Sequence, residues 1–262
     1  MIPYFQITKF YIGPIPIQIW GLFVSAGILA AIFFSTRAAR EKGLNSSKIL
    51  DASLGMIISA FVLARLVHVF GYFSAYYLAQ PSEIWKIWHG GFSAVGGLVG
   101  GIVYFLFFAW KHKLAVWSYL DVLAQGFPLG YAIGRIGCFL IHDHPGTLSH
   151  FVLAVKYPSA SRHDLGLDLS LSAWVMFLVV LGLRRLSRKA SPESWLRRDG
   201  FWVSLVFIWY GLTRFFLDFL RAYDLPFSDA RYFSLTVAQY FGLILILTGA
   251  CKLVTLKKYA RQ

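Results

Sequence analysis

Three arginines lie within strongly apolar stretches of the sequence: Arg65, Arg135 and Arg214. An arginine at the centre of a bilayer costs about 2.5–3.5 kcal/mol on insertion scales, so such residues are retained for a reason. Arginine stays protonated, and its planar guanidinium group matches the oxygens of a phosphate. These residues therefore predict a pocket for an anionic lipid headgroup. A structural role is the alternative, because Asp218 follows Arg214 by four residues, the spacing of an ion pair on one helical face.

Further polar residues lie one helical turn from two of these arginines. His68 follows Arg65 at i+3, and Tyr131 and Cys138 flank Arg135 at i−4 and i+3. They are candidates for substrate contacts or proton transfer. The alternative for each is a packed, hydrogen-bonded side chain between helices.

The run His142-Asp143-His144 combines two imidazoles with a carboxylate. Neighbouring side chains on an extended chain point to alternate sides, and no further residue at zinc-type spacing completes a set of ligands. A polar loop at the headgroup level explains the run. The sequence therefore predicts neither a metal site nor another cofactor.

The composition predicts the elements that must position these residues. Of 262 residues, 58% are hydrophobic and 14% are charged, against roughly 25% charged residues in an ordinary soluble domain. A transmembrane helix needs about 20 mostly apolar residues. Such stretches lie near residues 15–35, 50–72, 92–110, 119–141, 167–183, 200–221 and 236–255. The sequence thus predicts an all-α polytopic membrane protein with about seven transmembrane helices, forming a single membrane domain over residues 1–262.

The distribution of basic residues predicts the orientation. The net charge of +13 would suit nucleic acid, but sixteen of the Lys and Arg residues fall in alternate loops, on one side of the predicted bundle. The positive-inside rule assigns that side to the cytoplasm, so we expect the N-terminus outside, the C-terminus inside and no nucleic-acid partner. The sixteen are Arg37, Arg40, Lys42, Lys48, Lys111, Lys113, Arg184, Arg185, Arg188, Lys189, Arg197, Arg198, Lys252, Lys257, Lys258 and Arg261.

Glycines recur at four-residue spacing in the third and fourth apolar stretches. This spacing lets helix backbones approach closely, and it predicts that these two stretches pack together. The glycines are Gly96, Gly97, Gly100 and Gly101 in the third stretch, and Gly126, Gly130 and Gly134 in the fourth.

Several motifs together resemble one known family. The run GRIGCF, from Gly134 to Phe139, is similar to the GR(I/L)GNF signature of prolipoprotein diacylglyceryl transferases. Other segments resemble motifs of that family, in the same order along nearly the whole chain. They are QIWGL (18–22), ARLVHV (64–69), WHGGFSAVGGLVGG (88–101), YGLTRFFLDFLR (210–221) and LTVAQY (235–240).

The resemblance implies a seven-span fold and a membrane activity. Diacylglyceryl would pass from phosphatidylglycerol to the lipobox cysteine of a prolipoprotein, next to its signal peptide, at the outer face of the bacterial inner membrane. Arg135 and Arg214 would be catalytic, because fixed positive charge stabilises both the bound phosphate and the departing glycerol phosphate. The expected substrate-binding residues are Arg65, Tyr131, Gly96, Gly97, Asp218 and Trp20.

Some positions depart from the family motifs. Val95 stands at the histidine of the family's HGG motif, a candidate general base, and Cys138 stands at the asparagine of GR(I/L)GNF. One interpretation is a transferase with another base, for which His142, His144 and His68 are the candidates. The alternative is a non-catalytic phospholipid-binding or accessory membrane protein on the same scaffold.

Overall fold

The computed structural model describes residues 1–191, 193–225 and 231–258, and helices dominate this part of the chain. A π-helical turn over His68–Tyr72 and a 3₁₀ turn over Asp218–Leu220 each extend one of the helices. The α-helices are α1 (Ile19–Glu41), α2 (Ser47–Val67), α3 (Ser74–Ala79), α4 (Ala94–Lys111), α5 (Val116–Ile141), α6 (Leu165–Lys189), α7 (Phe201–Leu217) and α8 (Val237–Lys258). The strands are β1 (Ile2–Pro3), β2 (Lys9–Ile12), β3 (Ile15–Gln18), β4 (Pro145–Leu148), β5 (Val155–Lys156), β6 (Ser161–Asp164), β7 (Arg231–Tyr232) and β8 (Leu235–Thr236).

Within these described ranges, six helices are long and apolar enough to cross a membrane: α1, α2, α4, α6, α7 and α8. Large apolar side chains on their outer faces are exposed, among them Leu29, Phe33, Leu54, Val175 and Leu247. Such extensive apolar exposure is expected where lipid surrounds the protein. The architecture is that of a polytopic membrane protein.

The helices extend beyond the predicted apolar stretches. Helix α1 continues to Glu41 and α6 to Lys189, where the sequence predicts ends near residues 35 and 183. Charged residues make up much of both extensions. They can continue a membrane helix because their long side chains reach the headgroup region.

Helix α5 is less apolar than these six helices, and it buries polar side chains inside the bundle. It spans 26 residues and packs against α1, α6 and α7. Asp121, Gln125 and Arg135 on this helix are all buried. Polar residues of membrane helices normally face the bundle interior. The position of α5 therefore places polar groups at the centre of the protein.

Glycines bring two pairs of helices into close contact, but not the predicted pair. A Cβ at Gly130 of α5 would lie 2.6 Å from the carbonyl oxygen of Gly27 on α1. A Cβ at Gly100 of α4 would lie 2.5 Å from the carbonyl oxygen of Ser59 on α2. The predicted packing of the third and fourth stretches on each other is wrong, because each glycine face meets a different neighbour: α5 packs on α1, and α4 on α2.

The segment between α5 and α6, predicted as a loop, contributes to a small sheet. Its strands pair in the order β1-β5-β6-β4, with β1 parallel to β5 and the other pairs antiparallel. Buried Arg162 in β6 donates to both carboxylate oxygens of Asp224, at 2.9 and 2.5 Å, and so ties the sheet to the chain after α7. The all-α prediction does not include this sheet. Its strands are short, and one of them, β1, comes from the distant N-terminus.

Charged contacts join the helix ends opposite the sheet. Glu41 at the end of α1 pairs with Arg184 at 2.6 Å and with Arg188 at 2.5 Å, both on α6. Lys42 pairs with Asp199, just before α7, at 2.6 Å. The basic ends of α1 and α6 therefore lie together on one side of the bundle, with the start of α7.

Candidate active site

Arg135 lies in the half of α5 nearer the sheet, and its side chain is buried. Its guanidinium carbon is 5.0 Å from the centroid of the Tyr131 ring, and Nη1 donates a hydrogen bond to Cys138 Sγ at 3.9 Å. Residues three and four apart share one face of a helix, which explains the contacts within α5. The cation is thus held by an aromatic ring and a thiol.

Arg214, near the end of α7, belongs to a buried charged group. Its Nη2 lies 3.1 Å from Asp218 Oδ1, so the ion pair predicted from the i,i+4 spacing is confirmed. Arg221 Nε lies 3.3 Å from the same oxygen, and the Thr236 hydroxyl donates to Oδ2 at 2.5 Å. One carboxylate is therefore shared by two guanidinium groups, and the group as a whole carries positive charge.

Arg135 and Arg214 lie beside the same region, which is located between α5 and α7. The centroids of the Tyr131 and Tyr210 rings lie 5.6 Å apart there, and the two arginines interact electrostatically with each other and with Tyr210. Within the described part of the chain, the Tyr131 hydroxyl and Arg214 Nε are buried without a hydrogen-bond partner. Buried donors are normally paired. The region is therefore suited to a ligand that supplies hydrogen-bond acceptors.

An apolar cavity of about 220 Å³ extends from this region into the bundle. Side chains from α1, α2, α4 and α5 line it, among them Ile28, Ile57, Phe105 and Phe127. Tyr210 also lines the cavity, and it connects the cavity with the two arginines. Positive charge beside an apolar cavity matches an amphipathic anion.

A second group of side chains meets at the end of α5. The Cys138 sulfur, a carboxylate oxygen of Asp143 and a ring nitrogen of His144 lie within 4.8 Å of one another. His144 Nδ1 also hydrogen-bonds Asp143 Oδ1. His142 has a left-handed backbone with φ 51°, which turns the chain where α5 ends. The sequence does not reveal this group, because Cys138 lies within α5 whereas Asp143 and His144 follow the turn at the end of that helix.

These side chains are of types that bind zinc, but their surroundings disfavour a cation. The Arg135 guanidinium lies against the Cys138 sulfur, and Arg221 also acts on His144. Like charges repel, so the positive groups favour an anion at this position. We therefore assign no metal to the group.

Comparison with known proteins identifies the family. The family model of prolipoprotein diacylglyceryl transferase matches residues 8–255. The chain belongs to this family. The phosphatidylglycerol–prolipoprotein diacylglyceryl transferase of Staphylococcus xylosus is 30% identical over 94% of this chain and 87% of the relative. Relatives of the same name are 30% identical in Synechococcus elongatus, over 94% and 86% of the two chains, and 29% identical in Bacillus velezensis, over 96% and 93%.

In this member of the diacylglyceryl transferase family, Arg65 anchors the segment between α2 and α4. Its guanidinium donates to the carbonyl oxygens of Glu83 at 2.6 Å, Ile84 at 3.1 Å and Gly91 at 3.0 Å, and also to that of Gly90. A guanidinium group offers five N–H donors, and these contacts direct most of them to the protein's own backbone. Substrate binding by Arg65 stays a prediction.

Gly96 and Gly97 lie at the start of α4, next to α2. A Cβ at Gly96 would lie 2.5 Å from the Leu63 carbonyl oxygen, and one at Gly97 would lie 3.7 Å from the Ala64 Cβ. The absence of a side chain at Gly96 is therefore required by helix packing. Substrate contacts of Gly96, Gly97 and Trp20 stay predictions.

His142 is enclosed by aromatic side chains and a carboxylate. Its side chain is fully buried, its Nδ1 donates to Asp164 Oδ2 at 2.6 Å, and its ring stacks on Tyr4 with centroids 5.0 Å apart. The Tyr157 hydroxyl donates to the same oxygen at 2.7 Å, and Asp164 Oδ1 accepts the backbone N–H of Leu167 at 3.1 Å. These contacts hold the sheet on the ends of α5 and α6.

His68 lies in the segment anchored by Arg65. Its ring centroid is 4.9 Å from that of Phe73 and 5.9 Å from that of Tyr77. A Cβ at Gly91 would lie 2.6 Å from His68 Nε2 and 2.7 Å from Arg65 Nη1. Of the three candidate bases, only His144 belongs to the group beside Arg135.

Proposed function

We propose that this protein transfers the diacylglyceryl group of phosphatidylglycerol to the cysteine thiol of a prolipoprotein. The observation that carries the proposal is the pair of buried arginines, Arg135 and Arg214, beside an apolar cavity. A phospholipid has the matching division into an anionic phosphate and apolar acyl chains. Family membership supports the choice of donor and acceptor, because the relatives carry both in their name.

The proposed chemistry uses the positive charge of this site. A thiolate attacks the glyceryl carbon, the bond from that carbon to the phosphate oxygen breaks, and glycerol phosphate leaves with additional negative charge. Preorganised donors at such a site stabilise developing charge strongly, because little water screens them. The Tyr131 hydroxyl and Arg214 Nε are buried donors without a partner among the described residues, and the Arg135 guanidinium has further N–H donors beyond the one that bonds Cys138.

A non-catalytic phospholipid-binding protein is the second candidate. Val95 favours it, because this apolar, buried residue stands at the histidine of the family's HGG motif. Such a protein would hold phosphatidylglycerol at the same arginines and would not transfer its diacylglyceryl group.

One assay separates the two candidates. Purified protein is mixed with phosphatidylglycerol labelled in its acyl chains and with a synthetic lipobox peptide. The expected result is a labelled thioether peptide and an equal amount of glycerol phosphate, with no product from a peptide in which serine replaces the cysteine. Binding of phosphatidylglycerol without product between pH 7 and 9 would instead support the second candidate.

We further infer that α5 is a seventh span and that the protein resides in the bacterial inner membrane. A helix of 26 residues is about 39 Å long, which exceeds the roughly 30 Å of a bilayer core. Its neighbours α1, α6 and α7 are all candidate spans. The shared basic side of α1 and α6 supports the orientation with the N-terminus outside and the C-terminus in the cytoplasm.

Reporter insertions test this topology. A reporter at Lys113 and one after Gln262 are expected in the cytoplasm, and one after Ser149 is expected outside. Gln262 itself lies outside the described residues. Paired phosphatase and fluorescent-protein fusions at each site measure the side directly. Reporters at Lys113 and Ser149 on the same side would show that α5 does not cross, and an external C-terminus would overturn the orientation.

A further inference from the structure

The proposed transfer needs a group that removes the proton from the acceptor thiol. A free thiol has a pKa of about 8.5, so only a small fraction is thiolate at neutral pH. Val95 cannot accept a proton, and the candidates left by the sequence are His142, His68 and His144. Their surroundings in the structure distinguish them.

Two of these histidines are committed to other contacts. His142 uses Nδ1 to bond Asp164, and its Nε2 is buried with no partner among the residues described and no exposed surface. An incoming peptide therefore has no access to its ring. His68 lies against Gly91 in the segment anchored by Arg65, and its ring contacts Phe73.

His144 has the geometry of a general base beside the phosphate site. Its Nδ1 bonds Asp143, so Nε2 carries the lone pair of the neutral ring. The side chain is 26% exposed, so a substrate can approach it. A ring nitrogen of His144 lies within 4.8 Å of the Cys138 sulfur, which accepts the hydrogen bond from Arg135. The Cys138 side chain therefore lies between His144 and the Arg135 guanidinium group, which is assigned to the phosphate.

We infer that His144, oriented by Asp143, accepts the proton of the acceptor thiol. The inference rests on the proposed function. A histidine whose Nδ1 is bonded to a carboxylate is held in one tautomer, and the carboxylate stabilises the imidazolium that forms on proton transfer. Asp143 is thus a positioning residue, and His144 is the residue that touches the reacting thiol.

Partial burial, together with nearby positive charges, keeps this base neutral. Burial and the positive charges of Arg221 and Arg135 lower the pKa of His144, and Asp143 opposes them. The Cys138 thiol also lies close to the His144 ring. A base with a lowered pKa is unprotonated at neutral pH, so kcat/KM is expected to be level there. It falls only when the pH drops through the pKa of His144.

The thiol S–H bond breaks and its proton moves to Nε2 of His144, while the sulfur forms a bond to the glyceryl carbon. The bond between that carbon and the phosphate oxygen breaks, and its electron pair leaves with glycerol phosphate. His144 then returns the proton to the phosphate or to water. Cys138 is not the nucleophile, because alkylation would leave a thioether on the protein that cannot be passed on.

The test compares His144→Asn with His150→Asn, a change at an exposed histidine of the same loop. Transfer to the lipobox peptide is measured from pH 6 to 9.5. At pH 7, His144→Asn should reduce kcat/KM by about 10²-fold or more, the usual contribution of a general base. Its rate should then rise towards the thiol pKa of about 8.5. His150→Asn should match the wild type throughout.

A second acceptor separates proton transfer from a structural role. A peptide with selenocysteine in place of cysteine brings a nucleophile that is already ionised at pH 7, so it should restore most of the activity of His144→Asn. An unchanged rate in His144→Asn, or an equal loss at every pH that selenocysteine does not restore, overturns the inference while the proposed function stands. A wild type that transfers nothing overturns the proposed function, and the inference with it.

Discussion

Replacing Arg135 with lysine is expected to lower kcat/KM for diacylglyceryl transfer by about 10²–10³-fold, the usual cost of losing one donor to developing charge. Lysine keeps the positive charge but loses the planar fork that matches a phosphate. It also loses the contact of the guanidinium group with Tyr131, whose ring centroid lies 5.0 Å from the guanidinium carbon. The rate should fall more than the affinity for phosphatidylglycerol, because the leaving phosphate is more negative than the bound diester.

The matched control is Arg185→Lys, at an exposed arginine on α6 at the opposite end of the bundle. It should keep wild-type activity, and both variants should insert and purify normally. Rates at several phosphatidylglycerol concentrations separate kcat from KM. Wild-type kcat in Arg135→Lys would remove this residue from the catalytic site and leave Arg214 as the remaining candidate.

The largest loss of stability is expected from Asp218→Ala, at about 3–5 kcal/mol, the range for breaking a buried ion pair by removing one partner. Asp218 is 1% exposed, and Arg214 lies 3.1 Å from its Oδ1. Without the carboxylate, Arg214 remains buried without its counter-charge, and Thr236 loses its acceptor. Unfolding in a mild detergent measures the effect.

Two further variants test this result. Asp218→Glu keeps a carboxylate at this position, so it should be far more stable than Asp218→Ala. Asp51→Ala removes an exposed partner of Lys48, 3.6 Å away, and should cost at most about 1 kcal/mol. An Asp218→Ala protein as stable as Asp51→Ala would contradict the buried ion pair.

Local features of the sequence predict much of this protein. Long apolar runs predict the helices, since a helix satisfies its own backbone hydrogen bonds and needs only apolar side chains to be stable in lipid. The motif around Arg135 indicates the family that the comparisons confirm. The i,i+4 spacing of Arg214 and Asp218 predicts their ion pair, because both residues lie on one helix whose geometry is known in advance.

Tertiary structure alone decides which distant groups meet. Gly130 of α5 packs against Gly27 of α1, although the spacing of the α5 glycines is equally compatible with packing on α4. Arg65 has the same signature in the sequence as Arg135, yet its donors are taken up by carbonyl groups of the following segment. The left-handed turn at His142 sets His144 beside Cys138. Spacing along a helix is local geometry, whereas these contacts depend on how separate segments pack, and no single segment carries that information.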